Sequence, residues 1–287
     1  MCRIFGFRSV LFSKVHSSLV SAENALMGQS KRHPDGWGLA FYIAGTPHLI
    51  KSTCAAETDD LFKNVSGVVT SQTVIAHIRK ATQGQLTILN THPFQFGKWT
   101  FAHNGNIKNF EKIKDILLTK INPEIKSYRF GDTDSELIFL FILSKFLEKF
   151  DLHSKNPPFD EVINQLTLAL TELNQLIGTL NINDKGLSTE NYLTFVISNG
   201  PIMIALNGGM PLFYSTHKKK CPERDTCKSF LPICENYAHE GNQINHLIFS
   251  SEPLQGENVW VPLTPGQLVG IDENMRLKIK NLPLIFQ

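Results

Sequence analysis

No apolar run in the 287-residue chain approaches the ~18 residues needed to span a bilayer, so no membrane segment is expected. The first fifteen residues lack the long apolar stretch and small-residue cleavage site of a secretory leader, and the expected location is cytoplasmic. Neither sign of charge dominates: 28 Lys and Arg against 26 Asp and Glu leave a formal +2, which gives no reason to expect nucleic acid or an anionic membrane as partner. Cysteines are few and odd in number, at positions 2, 54, 221, 227 and 234, which does not read as a dense disulfide framework and suits a reducing compartment. Internal repeats and low-complexity segments are also lacking, and the one compositional break is 216–241, rich in Lys, Cys and Glu. What remains is a globular protein long enough to bury a sizeable core, expected as one large α+β domain over residues 2–287.

The apolar pattern predicts strands at Ile4 to Phe7 and Trp37 to Ile43 with a helix from Leu19 to Met27 between them. Pro34 and Gly36 mark a turn that puts Arg32, His33 and Asp35 on a connection. Thr73 to Ile78 and Lys98 to Ala102 read as strands that run into polar clusters, His77 to Thr82 and His103 to Asn106. Thr133 followed by Glu136 is a capping-box pattern that starts a helix before the apolar run Leu137 to Leu147, with Asp134 in its first turn. A second helix, about Pro158 to Ile177, carries one apolar stripe, and 181–191 is a polar loop. Strand signals then recur at Tyr192 to Ser198, Ile202 to Leu206, Leu212 to Tyr214, Leu247 to Ser250, Val259 to Leu263 and Leu268 to Ile271.

Cys2 follows the initiator methionine. Removal of Met1 would leave one residue carrying both a thiol, ordinarily near pKa 8.5, and an α-amine near about 7.7–8.0, a nucleophile with its own base. Cys2, His77-x-Arg79-x-x-Thr82, Asn90-Thr91-His92-Pro93, His103-Asn104-Gly105 and Thr133-Asp134 together resemble, in content and order, the class II glutamine amidotransferases, which are N-terminal-nucleophile hydrolases. The likeness covers about the first 140 residues and implies a four-layer αββα sandwich. It also implies that Cys2 is the nucleophile and that the Asn104 side chain and Gly105 N–H form the oxyanion hole. A glycine at 105 permits positive φ or a close backbone approach. Arg79 has the planar donor fork that suits an α-carboxylate, with Thr82 beside it, and Asp134 can receive an α-ammonium. The implied substrate is a small molecule with a γ-glutamyl head group, and no cofactor is called for.

Arg32, His33, His77 and His92 are assigned supporting roles: Arg32 and His33 belong to the loop beside Cys2, with Arg32 positioning the Cys2 region, while His77 and His92, with His103, are read as hydrogen-bonding scaffold. The stretch His33 to Gly38 departs from the Arg-Gly-Tyr-Asp stretch of a familiar subgroup and resembles the stand-alone amidohydrolase branch. Beyond the amidohydrolase half there is no sugar-phosphate, phosphoribosyl or ATP module. The chain therefore releases glutamate from a γ-glutamyl compound itself, or passes ammonia to a separate protein partner; a non-catalytic γ-glutamyl-binding protein is the reading from another class. Cys221, Cys227 and Cys234, flanked by His217 and His239, supply soft ligands, yet lack the Cys-x2-Cys pairing of a zinc knuckle. A packed or disulfide-capable loop is expected there, without metal. Lys218 to Lys220 read as a solvated face, and Ser250 to Leu254 resemble a strand end found near the catalytic region of stand-alone relatives.

Overall fold

The computed structural model describes residues 2–236 and 242–287; Met1 and 237–241, with His239, lie outside the described residues. In chain order the strands are β1 (Arg3–Lys14), β2 (Trp37–Ile43), β3 (Thr46–Ser52), β4 (Thr70–Ile78), β5 (Phe94–Phe96), β6 (Trp99–Asn106) and β7 (Tyr192–Ser198). They continue as β8 (Met203–Leu206), β9 (Phe213–Ser215), β10 (His246–Ser250), β11 (Val261–Pro262), β12 (Gln267–Ile271) and β13 (Leu277–Asn281). The helices are α1 (Leu26–Gln29), α2 (Asp60–Val68), α3 (Phe110–Lys120), α4 (Pro123–Lys126), α5 (Asp134–Leu147) and α6 (Phe159–Ile177). One sheet has the order β11-β9-β10-β1-β4-β2-β3 and the other β13-β12-β8-β7-β6-β5, with antiparallel pairing throughout.

Strand alternation decides the layers. Ile4, Ala40 and Ile75 of the first sheet meet Ala102, Val196 and Met203 of the second in the space between the sheets. Their sequence neighbours point outward: Phe5, Trp37, Leu39 and Ala76 pack under Leu19 and Phe62 of the first helical layer. On the other side Phe101, Phe195 and Ile204 pack under Phe139, Leu143, Leu166 and Leu170 of α5 and α6. Helix, sheet, sheet, helix is the αββα sandwich that the motif resemblance implied. Full burial of each such aromatic or aliphatic side chain contributes about 1.5–3 kcal/mol, so the two outer seams and the inner one carry the fold together. Twelve of the fourteen residues of α5 are buried, which fixes its first turn against the end of β6. No helix among the described residues is long and apolar enough to cross a membrane.

Three expectations are corrected. The single helix over Leu19 to Met27 is a π-turn at Ser17–Ser21 and the short α1, interrupted where Asn24 bonds Pro253 C=O at 2.6 Å and Gln255 N–H at 2.9 Å. Tertiary hydrogen bonds there override helical propensity. β6 does not stop at Ala102; it runs on through His103, Asn104, Gly105 and Asn106, each paired with β7. The capping box at α5 is half formed: Thr133 Oγ1 accepts from Glu136 N–H at 3.2 Å, while the Glu136 carboxylate accepts from Phe130 and Gly131 N–H instead of reaching back to Thr133.

Candidate active site

Cys2 stands at the head of β1, a strand hydrogen-bonded to β4 on one edge and β10 on the other. Register sets Arg3 opposite Ile78, which brings Cys2 level with the residues that leave β4. Lys80 N–H donates to Cys2 Sγ at 3.3 Å, and the thiol donates to Lys80 C=O at 3.4 Å. With 8 % of its surface exposed, the thiol is pushed above its ordinary pKa by burial. The Lys80 bond and the Arg79 guanidinium pull the other way, and Asp134 adds to the rise. Such a thiol stays protonated at neutral pH and needs a base before it can attack.

Arg79 is held at both ends. Its N–H donates to Gly36 C=O at 2.8 Å, its C=O accepts from Asp35 N–H at 3.2 Å, and the Asp35 carboxylate accepts from Ala81 N–H at 2.8 Å. Gly36 has φ of +119°, and a Cβ there would lie 2.7 Å from Ser52 C=O, so no other residue fits without a shift. The buried guanidinium gives one N–H to Gln85 C=O and one to Gln83 C=O, both at 3.1 Å, leaving other donors of its fork uncommitted to that loop. Asn90 ties the same loop down by donating to Gln85 C=O at 3.0 Å and to the Asp132 carboxylate, and by accepting from Asp132 N–H at 3.0 Å. Thr82 is exposed on this loop.

Asp134, buried at the start of α5, accepts from Ile107 N–H at 2.8 Å and from Ser135 N–H at 2.8 Å, which ties the helix to the end of β6. Asn104 is buried on β6 with its side-chain oxygen unpartnered among the described residues. At Gly105 φ is not positive; the need is space, because a Cβ would lie 2.0 Å from His103 Nε2 and 2.2 Å from Tyr192 C=O. The Cys2 thiol, the Arg79 guanidinium, the Asp134 carboxylate and the Asn104 amide thus lie toward one end of the sandwich, where β1 and β4 both touch β6 across the inner seam.

A family profile described as glutamine amidotransferases class-II matches residues 1–281. The chain belongs to this family. A Haemophilus influenzae protein named as a glutamine amidotransferase is 30 % identical over 84 % of this chain and 74 % of its own length. The Escherichia coli protein YafJ, also named as a glutamine amidotransferase, is 27 % identical over 84 % of this chain and 86 % of its own length. Among solved structures, the class-II glutamine aminotransferase domain protein of Silicibacter pomeroyi superposes with a TM-score of 0.62 at 20 % identity, covering 98 % of this chain and 99 % of that one. Glutamine phosphoribosylpyrophosphate amidotransferase of Bacillus subtilis superposes with a TM-score of 0.59 at 16 % identity, and the match spans 49 % of its length.

In this class II amidotransferase burial holds four histidines, His33, His77, His92 and His103, below the ordinary imidazole pKa. Burial lowers the His77 pKa to about 3, with Arg79 adding to the effect, and holds His92 well below the ordinary imidazole range. Burial also lowers His103, against the pull of Asp134, and takes His33 to about 4. Two of the four make side-chain hydrogen bonds of good geometry among the described residues. His33 Nδ1–H donates to Gln29 C=O at 2.8 Å. His103 bonds Tyr192 C=O through Nε2 at 3.1 Å and Ser135 Oγ through Nδ1 at 2.9 Å; a carbonyl only accepts, so Nε2 carries the proton and Nδ1 accepts from Ser135. His77 and His92 instead stack with ring centroids 4.2 Å apart, and none of their ring nitrogens makes a hydrogen bond of good geometry among the described residues.

Arg32 is 66 % exposed and lies 3.6 Å from Glu252, which also accepts from Arg3 Nε at 2.9 Å; Arg3 in turn donates to Cys2 C=O at 3.2 Å. Arg32 therefore reaches Cys2 only through two intermediaries. Glu252, with Ser251 accepting from Ile4 N–H at 2.9 Å, is the part of the site whose role sequence reasoning did not assign; its signal was the polar run closing a late strand. Asn90 entered only as part of a family motif and Asp35 and Asp132 only as polar residues of connections, none with the bonds that hold the Arg79 loop. Cys221, Cys227 and Cys234 are free thiols, and no cluster of three or more metal-binding side chains occurs among the described residues.

Proposed function

We propose that the chain is an amidohydrolase that cleaves the γ-amide of glutamine or a γ-glutamyl compound through a thioester at Cys2. The observation that carries this reading is the pair of charges acting on the buried thiol, the Arg79 guanidinium and the Asp134 carboxylate. They are opposite in sign, as the α-carboxylate and α-ammonium of a glutamyl head group are. With Arg79, Thr82 and Asp134 holding that head group, its γ-carbonyl reaches Cys2. Removal of Met1 frees the Cys2 amine, which takes the thiol proton as sulfur attacks and returns a proton to the departing amine. Asn104 and Gly105 hold the oxyanion, and water then attacks the thioester through a second oxyanion in the same place. Histidines as weakly basic as His77 are poor proton acceptors, which leaves the amine the better base.

The departing amine is read from the other side of Cys2. Arg3 and Arg32 both reach Glu252, and Arg3 also donates to Cys2 C=O, so two guanidinium groups stand beside the nucleophile. That favours an amine bearing its own carboxylate, an amino acid or short peptide, over ammonia alone. The second reading, ammonia passed to a separate subunit, draws on a relative that is much longer than the matched part: the Bacillus subtilis glutamine phosphoribosylpyrophosphate amidotransferase, matched over 49 % of its length. Intact mass should show loss of Met1, and release of glutamate from γ-glutamyl peptides should be abolished in Cys2→Ala. Protein that begins at Cys2 yet turns over no γ-glutamyl compound and traps no acyl-enzyme would end the proposal. Strong stimulation by a partner, with little activity alone, would move it to the second reading.

A further inference from the structure

Away from the nucleophile, the lateral edge of the sandwich opens into a cavity of about 330 Å³ whose walls include Leu49 and Lys51 of β3, Phe94 of β5, Glu136 and Phe139 of α5, and Leu89. This volume falls at the lower end of the ~300–1,000 Å³ range of small-molecule sites. The walls are mainly apolar. At the rim Ile88 is 56 %, Leu89 55 %, Tyr128 52 % and Phe130 65 % exposed, an apolar collar in which only Tyr128 has an aromatic neighbour among the described residues, Phe96 at 4.9 Å between ring centroids.

Two charges line the cavity and they are not equivalent. Glu136 is already satisfied by Phe130 N–H at 2.9 Å and Gly131 N–H at 2.8 Å. Lys51 is largely removed from water, with its ammonium 5.4 Å from the Phe94 ring centroid, and makes neither a hydrogen bond nor an ion pair within 4.0 Å among the described residues. A half-buried ammonium whose nearby carboxylate is already taken up by backbone N–H groups gains from an anion that reaches it directly. Burial accordingly lowers its pKa to about 8, against the pull of Glu136.

We propose that this cavity binds a small monocarboxylate with an aromatic or branched apolar body, the carboxylate on Lys51 and the body against Leu49, Phe94 and Phe139. The satisfied Glu136 opposes a second negative charge, so the site discriminates against dicarboxylates. Occupancy would also be felt at the catalytic end. Ile88 and Leu89 belong to the turn that ends in Asn90, and Asn90 holds the Gln85 carbonyl that Arg79 also holds. A ligand that pins the collar therefore stiffens the loop carrying the Arg79 contacts.

Titration calorimetry on the full chain with 3-phenylpropanoate, 3-phenylpropanamide and phenylsuccinate tests the site without reference to turnover. The monocarboxylate should bind saturably, about tenfold or more tighter than the amide and the dicarboxylate, and Lys51→Met should erase the difference between acid and amide. Acid affinity should fall as pH rises from about 7 to about 9.5, because Lys51 loses its proton over that span. The melting temperature of Lys51→Met reports that the variant is folded, and Lys51→Arg should keep the preference for the acid. Equal binding of acid and amide, no saturation by about 10 mM, or a preference that survives Lys51→Met would each overturn the site. Amide exchange in 83–90 should slow on saturation, and unchanged exchange would overturn the link to the loop.

Discussion

Replacing Gly105 by alanine puts one methyl group where the end of β6 has no space for it. The added Cβ would sit 2.0 Å from His103 Nε2, 2.5 Å from His103 Cε1 and 2.2 Å from Tyr192 C=O. Neither neighbour yields cheaply. Tyr192 is at the start of β7, opposite Asn106, and His103 is fastened at both ring nitrogens, by Ser135 and by Tyr192 itself. Relief therefore breaks the His103 to Tyr192 bond, about 0.5–1.5 kcal/mol, and forces an overpacking shift of about 1–3 kcal/mol. The sum, roughly 2–4 kcal/mol, corresponds to a melting temperature lower by about 3–7 °C for a domain of this size. Since φ at 105 is not positive, none of this cost is backbone strain. Activity should fall further than stability, because the displaced segment carries both donors proposed for the oxyanion; loss of one such donor costs about 10²–10³-fold in turnover. The assay is glutamate release well below the melting point, set beside a thermal scan of the same preparation. A Gly105→Ala protein that melts within about 1 °C of the parent refutes the packing argument, and one that is destabilised yet turns over normally refutes the oxyanion assignment.

Asn90→Ala should raise KM for the glutamyl substrate by about tenfold with little change in kcat, because it removes three bonds holding the loop that Arg79 grips, each of about 0.5–1.5 kcal/mol. Glu252→Gln should lower activity on substrates whose amine carries a carboxylate less than activity on glutamine, since it leaves Arg3 and Arg32 unneutralised; a uniform loss would show that Glu252 serves only to fix Cys2. His33 has a folded pKa of about 4 against an ordinary value near 6.5, so the unfolded chain binds more protons between those values and stability falls as pH drops through that window. His33→Asn should flatten the dependence of melting temperature on pH between about 6.5 and 4, a loss of slope measurable by thermal scans.

Where the sequence pattern was self-contained, it was readable. Trp37–Ile43 and Tyr192–Ser198 have the expected bounds because both are apolar runs closed by turn or polar residues. β3 went unread: it is an edge strand carrying Pro47, a residue that ordinarily argues against strand, tolerated here because its nitrogen needs no partner on the open side. β5 has only three residues after Pro93, too few for alternation to register. At the site, Cys2, Arg79, Thr82, Asn104, Gly105 and Asp134 were read as a set only through the order of family motifs, since no local pattern links them. Asn-Gly is ordinarily a turn dipeptide, and its pairing with β7 shows that here it belongs to a strand. Glu252 was illegible for another reason, since its partner Arg3 lies 249 positions away and no local pattern records such a pairing.

The head of β1 has one more consequence. Chain ends are ordinarily the loosest part of a protein, yet Arg3 is already paired with Ile78 of β4, and from Phe5 on β1 has a neighbour on either side in a seven-stranded sheet. With Cys2 working through its own amine, as proposed, any group left on that amine blocks it. Affinity tags, reporters and fusion partners are then better placed after Gln287, and a tag ahead of Cys2 should abolish turnover.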